Sequence, residues 1–505
     1  MGTTLERVMY LAAGALAAVT LLGYAVVAWV HAGDRYNVDF MAGIWIALAS
    51  YVNSGTLYPA LYDGSSFGGT RYMPVYFVLH SVIVHAVGGD YVLAGKLLSL
   101  VVVVAMVGLT FVIIRCSDVP RYFALLLAVL VLLTGPGFHA ATSIRADALA
   151  TLLQLAAVAL IAHQGPARAV PAAALAALAV FTKLSALWAP AAISVWLLLQ
   201  HRRAFFVFAT CFVGAVLAST CTVQLISHGR FLDNLATMAF SGIDSGFAFK
   251  KSTIYTLEML MSEAPAAWAL LPFVLGSCVL ASHRRQLTVY HYAWLASAII
   301  LAVVMADTGT DANHFIELIV LGAILLGTLW STERRDASPI RIVLAIAVLW
   351  VGGNALVFQL RAHAQEIVNP LRGGTYPRPC GASAGRYCVA ADQLLARIQT
   401  AHRVLAEDPS ISVARGELPV VLDPWAIPKI AARHPEWVAE LTNRVDAAEF
   451  DYVILILRHE TVDPQFSLWY RDEFGKTLMS AVKRRYIWVG EIDGFHLYEP
   501  ADKVR

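Results

Sequence analysis

Carboxylates and cations of the kind that act on a phosphorylated substrate recur at five places in this chain. The segment 31–92 carries Asp34, Arg35, Asp39, Asp63, Arg71, Tyr72 and Tyr76. SIRADAL supplies Arg145 and Asp147, FTKLS supplies Lys183, the stretch 227–263 supplies Lys250 and Lys251, and DTGTDANHFIEL supplies Asp307, Asp311, Asn313 and His314. A carboxylate can take the proton from a hydroxyl nucleophile or ligate a divalent metal, and fixed cations can hold a phosphate whose charge is growing. Each residue also has an ordinary structural use: Asp147 can cap the helix that starts there, and Lys183 can snorkel toward a membrane surface. For any single residue the ordinary use is the better reading. The mixture as a whole matches what transfer from a phosphorylated donor requires.

The elements that position these residues are apolar. Of 505 residues 58% are hydrophobic and only 14% charged, against roughly 25% charged in soluble domains. A soluble enzyme of this size is excluded. The charges are also uneven, because 37 of the 72 fall in residues 361–505. An apolar membrane part, 1–360, is therefore expected to precede a globular part, 361–505, of ordinary charge content. The net charge of +2 points neither to nucleic acid nor to an acidic partner.

The first apolar stretch ends near Val30 and is 23 residues long, longer than the core of a signal peptide at about 7–15 residues. It reads as an uncleaved first span. Ten further runs, near 93–114, 121–138, 147–163, 169–182, 184–200, 204–226, 264–281, 289–306, 315–331 and 340–360, bring the expectation to about eleven transmembrane helices. Run 169–182 is short and contains Pro171, so with 184–200 it can also form a shallow hairpin without changing parity. With the N-terminus inside, the inner loops hold eleven basic residues and four acids, and the outer side eight basic residues and twelve acids. That is the positive-inside pattern. Pro74–Gly89 is apolar but short, and counting it as a crossing would invert every later loop, so it is expected to lie along or dip into the outer leaflet. An odd number of crossings puts 361–505 outside the inner membrane, together with all five polar stretches. Ionisable groups gathered on one face imply a polar cavity opening outward.

The outer part reads as a small α/β domain. PVVL is a short apolar strand, Asp423-Pro424 a turn followed by a helix, DYVILIL a buried strand, and Phe495–Tyr498 a closing strand. Asp423 and Trp425 have two readings, a turn with a packed aromatic, which is favoured, and a carbohydrate-acceptor contact. Cys380 and Cys388 are close enough in sequence for a disulfide in an oxidising compartment. Cys116, Cys211, Cys221 and Cys278 read as small apolar residues.

Several of these pieces resemble a known family. An Asp after the first span followed by a Gly-Thr-Leu-Tyr turn (Asp39 to Tyr58), a Tyr-x-Pro-x-Tyr element (Tyr72, Pro74, Tyr76), Arg-x-Asp opening a span (Arg145, Asp147), a Lys after a small-residue helix (Lys183), and the polar start of a late span at 313–318 are similar to the glycosyltransferases of the C superfold. These are the aminoarabinose-transferase-like and protein-mannosyltransferase-like membrane enzymes. The resemblance implies transfer of a sugar from a polyprenyl-phosphate donor to a lipid or glycan acceptor on the outer face, with inversion at the anomeric carbon. It implies Asp39 as the general base, and Arg71, Lys183, His314, Arg145, Lys250 and Lys251 as candidates for the donor phosphate. Tyr72, Tyr76, Asp147, Asp311 and Asn313 complete the expected substrate site. Members with paired acids after the first span show Asp-Glu or Glu-Asp where this chain has Asp39-Phe40, which leaves Asp34 as a rival base and the use of a divalent metal open. Arg71 stands where relatives carry a Lys before Pro-Pro. The peptide-acceptor signature WWD is absent. Two other functions share these features: a surface-polysaccharide polymerase or ligase that takes a lipid-diphosphate donor, and a lipid or sugar transporter, although the latter keeps its ionisable groups near the bilayer midplane.

The sidedness is testable with a reporter fused after Arg505. An enzyme active only outside the cytoplasm is expected to report activity, and a signal only from a cytoplasm-specific reporter would overturn the loop assignment.

Overall fold

A computed structural model describes residues 4–32, 40–239, 245–307, 310–332, 339–362, 364, 391–456, 474–492 and 495–503. Asp34, Asp39, Cys380 and Cys388 lie outside the described residues. Among those described, seven helices are long and apolar enough to cross a membrane: Thr4–Val30, Tyr91–Arg115, Asp147–Gln164, Arg202–Ile226, Pro265–His283, Ala312–Thr332 and Pro339–Ala362. The chain is a polytopic helical membrane protein with a small C-terminal sheet.

Each of the eleven apolar runs is helical, but four of them depart from the expectation of one straight crossing apiece. Run 121–138 breaks into Arg121–Leu133 and Gly135–Thr142, bent by 81°. Pro136 carries no N–H for a continuing helix, while Thr134 Oγ1 accepts from Gly137 N at 3.3 Å and starts the second segment. A Cβ at Gly137 would lie 1.9 Å from the Val131 carbonyl oxygen, so the bend needs glycine there. Helices Ala169–Val180, Trp188–Gln200 and Val289–Val304 have 12, 13 and 16 residues. At 1.5 Å per residue they reach about 18–24 Å, short of the roughly 30 Å of hydrocarbon. The first two are separated at Phe181–Leu187, and Lys183 sits in that break. Pro74–Ala86, at 13 residues, is likewise too short to cross singly, and so is Phe40–Asn53 at 14.

Burial sorts the helices by position. Phe315–Thr332 is buried along most of its length and packs against Pro265–His283 and Val289–Val304. Arg202–Ile226 buries only Phe208; its apolar residues face outward, as a perimeter helix in lipid requires.

The C-terminal part contains four strands, β1 (Val404–Ala406), β2 (Tyr452–Leu455), β3 (Tyr486–Ile492) and β4 (Phe495–Pro500), in the order β1-β2-β4-β3. β1 and β2 are parallel and the other pairs antiparallel. β2 takes Tyr452–Leu455 from DYVILIL, as that apolar run demands. Phe495–Tyr498 belongs to β4, which lies between β2 and β3 and so does not close the sheet. PVVL is not a strand of the sheet. Its Val421 instead forms a parallel bridge to Phe67 in the first long connection, with Phe67 N donating to Val420 O at 2.7 Å and Leu422 N to Phe67 O at 2.9 Å. Phe67 is wholly buried in the domain's own core, among Val421, Ala426, Ile427 and Ile430. The membrane part thus contributes a core residue to the C-terminal domain.

One buried amide holds this connection in place. Asn234 Oδ1 accepts from Gly69 N at 3.0 Å and Thr70 N at 2.9 Å, and its Nδ2 donates to Pro59 O at 3.0 Å and Arg230 O at 2.8 Å. All four hydrogen-bonding positions of the amide are used. Gly69 has φ +91°, and its Cβ position lies 2.9 Å from the Ala426 methyl, so both the turn and the docked domain require glycine. Asn234→Ala strands two N–H groups beside buried residues and is expected to cost about 1–3 kcal/mol for each, read as a fall in Tm in detergent. An unchanged Tm would remove the amide from this role.

Candidate functional site

Two ion pairs occupy the end of the bundle that carries the C-terminal domain. The first joins Lys183 Nζ to Asp147 Oδ1 at 2.5 Å, with side chains 14% and 8% exposed. Asp147 opens its helix but does not cap it with its side chain. The same oxygen accepts from Asn313 Nδ2 at 2.7 Å. Lys183 does not snorkel; its ammonium is also 3.1 Å from His314 Nδ1. An ammonium has no acceptor, so His314 must offer Nδ1 as the acceptor, and its ring proton resides on Nε2.

The second pair is Arg71 with Asp307, at 2.5 Å and about one-third exposed. Burial opposes the charge on Arg71, but Asp307 beside it prevails and raises its pKa above the usual value. Lys251 supports the Asp307 segment from below: it is buried, and its Nζ donates to Asp307 O at 2.6 Å and Thr310 O at 2.8 Å. Burial lowers the Lys251 pKa to about 8, against the pull of Asp307 and Asp311. His314 lies within electrostatic range of Arg71, Asp307, Lys183 and Asp147, which joins the two pairs into one cluster.

The remaining sequence candidates divide. Tyr72 is at the cluster: its ring packs on Trp45 at 4.3 Å, its hydroxyl points at Met41 Sδ, and it feels the charges of Arg71, Arg145 and Asp147. Arg145 is half-buried near Asp147. Tyr76 is fully buried, with its hydroxyl 2.8 Å from Ser99 Oγ and its ring edge-on to Trp45; it packs the floor beneath Tyr72. Asp311 is exposed and its side chain accepts from Ala312 N at 2.7 Å. Lys250 is exposed and does not join the cluster that Lys251 joins.

Two further acids are present here: Glu317, which the sequence reading did not single out as a site residue, and Asp423, which it favoured as a turn residue over an acceptor contact. Glu317, one helical turn beyond Asn313, is buried within range of Lys183 and Asp147 and beside Trp188. Its i+4 spacing from Asn313 was the available signal. Asp423 of the C-terminal domain is buried within range of Arg71. The same bundle holds an apolar cavity lined by Leu260, Ala266, Leu270, Trp294, Leu318 and Ile319 among others. Leu318 and Ile319 are about one turn past His314 on the same helix. Among the described residues no group of three or more His, Cys, Asp or Glu side chains is placed to hold a metal ion.

The fold can be compared with solved structures. ArnT from Cupriavidus metallidurans, in the apo state and bound to undecaprenyl phosphate, superimposes with a TM-score of 0.59 in each case, over 95% of this chain and 97% of that one, at 13% identity. This chain shares its fold with ArnT. The archaeal oligosaccharyltransferase AglB from Archaeoglobus fulgidus, in complex with an inhibitory peptide and a dolichol-phosphate, aligns at a TM-score of 0.48 and 10% identity, covering 96% of this chain and 75% of its own. No protein-family model matches the sequence, and no curated protein matches it.

Removing one partner of a buried ion pair strands the other charge, at about 3–5 kcal/mol. Lys183→Met and Asp147→Asn are each expected to lower Tm by a corresponding amount, and the double variant by much less than the two together. Additive losses in that double-mutant cycle would show that the two residues do not act as a pair.

Proposed function

We propose that the protein is a membrane glycosyltransferase that moves a sugar from a polyprenyl-phosphate donor to a lipid or glycan acceptor at the outer face of the inner membrane. One observation supports this reading above others: Arg71, Lys183 and His314 converge on one cluster, and about one turn past His314 the residues Leu318 and Ile319 line an apolar cavity, in a chain with the fold of ArnT. A polyprenyl-phosphate sugar needs this combination, cations for its phosphate and an apolar groove for its chain. The neighbouring ArnT structure holds undecaprenyl phosphate, a ligand of the same chemistry.

In this scheme the donor phosphate displaces Asp307 from Arg71 and meets the guanidinium as a two-pronged donor. His314 offers its Nε2–H, and Lys183 its charge. These groups bind the leaving phosphate more tightly as its negative charge grows, which lowers the barrier. The acceptor hydroxyl attacks the anomeric carbon from the opposite side, the C–O bond to phosphate breaks, and the configuration inverts. Asp39 takes the hydroxyl proton, with Asp34 as its rival for that task. Arg145 and Lys251 serve as supporting cations, the latter by holding the Asp307 segment; Asn313 orients Asp147; Tyr72 lines the sugar site. The proposed boundary between the two parts is near residue 360.

Purified protein in nanodiscs is expected to transfer radiolabelled sugar from a polyprenyl-phosphate donor. Asp39→Asn is expected to lower kcat by about 10²–10⁴, and Arg71→Ala to raise KM for the donor while Lys250→Ala leaves it unchanged. Full activity of Asp39→Asn eliminates Asp39 as the base. Transfer from diphosphate donors alone would replace this reading with that of a polysaccharide polymerase or ligase.

A further inference from the structure

The C-terminal domain reaches the cluster through one turn. The two backbone bonds between Phe67 and the Val420–Leu422 segment bring the next residue, Asp423, within electrostatic range of Arg71, four residues along the other segment. Asp423 is 5% exposed. Its Oδ1 accepts from Trp425 N at 3.0 Å and its carbonyl from Ala426 N at 2.8 Å, so the turn that opens helix Ala426–Arg433 pins the carboxylate. The other oxygen, Oδ2, accepts no hydrogen bond among the described residues.

A turn of this kind needs only one side-chain oxygen, and asparagine would provide it without burying a charge. The two cations in range bond elsewhere, Arg71 to Asp307 and Lys429 Nζ to Met238 O at 3.2 Å, and neither donates to Asp423. Asp423 thus keeps one carboxylate oxygen free of protein donors among the described residues, within electrostatic range of Arg71 and Tyr72. A guanidinium and a phenol lie within electrostatic range, and the half-buried Trp425 is two residues along the same turn. This combination of planar donor, carboxylate acceptor and aromatic faces suits a polyhydroxylated ring.

We propose that Asp423 contacts the substrate directly, its Oδ2 accepting a hydrogen bond from a sugar hydroxyl held against Arg71, so that the C-terminal domain takes part in sugar recognition. This rests on the glycosyl-transfer reading above. The hydroxyl belongs either to the donor sugar or to the acceptor glycan, and the two sources separate experimentally. Titration gives a second handle. Burial raises the Asp423 pKa to about 6, opposed by Lys429 and Arg71; Tyr72 is also within electrostatic range of it, and Asp307 acts on Lys429 and Arg71. The stronger acceptor, the carboxylate, is therefore lost as pH falls through about 6.

The test is Asp423→Asn in the full-length protein in nanodiscs, since asparagine keeps the bond from Trp425 N and with it the turn. Three quantities are measured: affinity for bare polyprenyl phosphate, affinity for polyprenyl-phosphate sugar, and KM for a glycan acceptor between pH 5 and 8. Replacing a charged by a neutral acceptor is expected to weaken one sugar-dependent quantity by about tenfold, with bare polyprenyl phosphate bound as before. Weaker binding of the sugar-bearing donor assigns the hydroxyl to the donor; a raised acceptor KM assigns it to the acceptor. In either case the acid limb near pH 6 flattens in the variant. The proposal is overturned if all three quantities stay within twofold, or if bare polyprenyl phosphate loses affinity equally, which would mean that Asp423 acts only through Arg71. A wild-type protein that binds no polyprenyl-phosphate sugar at all would overturn the glycosyl-transfer reading itself, and this proposal with it.

Discussion

A lysine ammonium and an aspartate carboxylate in contact, both nearly out of water, set the terms for this structure. Neither charge is tolerable alone beside hydrocarbon, and the pair is further held by the bond from Asn313 to Asp147 and from Lys183 to His314. Asp147 comes from the start of one span, Lys183 from the break between two short helices, and Asn313 and His314 from the start of the most buried helix. Meeting at one point fixes the relative depth of all three segments. It also explains why run 169–200 is not one long helix, since the chain must be interrupted for Lys183 to enter the cluster.

The second constraint is the docking of the C-terminal domain. Phe67 leaves the membrane part to complete the domain's core, and Asn234 ties the following residues back to the bundle. Arg71 lies two residues beyond Gly69, so its position is set from both sides. A domain attached only by a linker would leave Arg71 on a free loop; here the same contacts that hold the domain also aim the guanidinium at Asp307. Glycines mark where backbones come close. At Gly43 a Cβ would lie 2.1 Å from Asp408 Oδ1, a further point at which the two parts touch.

The polar cluster and the apolar cavity share one helix, and that geometry gives the site its chemistry. His314 faces the ion pairs while Leu318 and Ile319 line the cavity. A ligand bridging them must be charged at one end and apolar along the other. Tyr76 and Ser99 fill the floor between Tyr72 and the core, keeping the aromatic wall rigid.

Composition and period were enough to establish a helical membrane protein with sparse charges and a small α/β tail, because hydrocarbon excludes unpaired polar groups from long stretches and burial of a strand imposes an apolar run. β2 and the helix after Asp423-Pro424 were legible for that reason; β1 and β3 were not, one being three residues long and the other following a charged Lys-Arg-Arg run and interrupted by Gly490. The bend at Pro136 was hidden inside an apolar run that hydropathy alone reads as continuous. Lys250 and Lys251 are adjacent and chemically identical, yet one is exposed and the other holds two carbonyls of the Asp307 segment. Asp423 lies some 350 residues from Arg71 in the chain and reads locally as a turn residue, which it also is. Which charges pair, and which oxygen is left open, depends on contacts between segments hundreds of residues apart; residue type and local spacing carry no record of them, and only the closed tertiary structure decides.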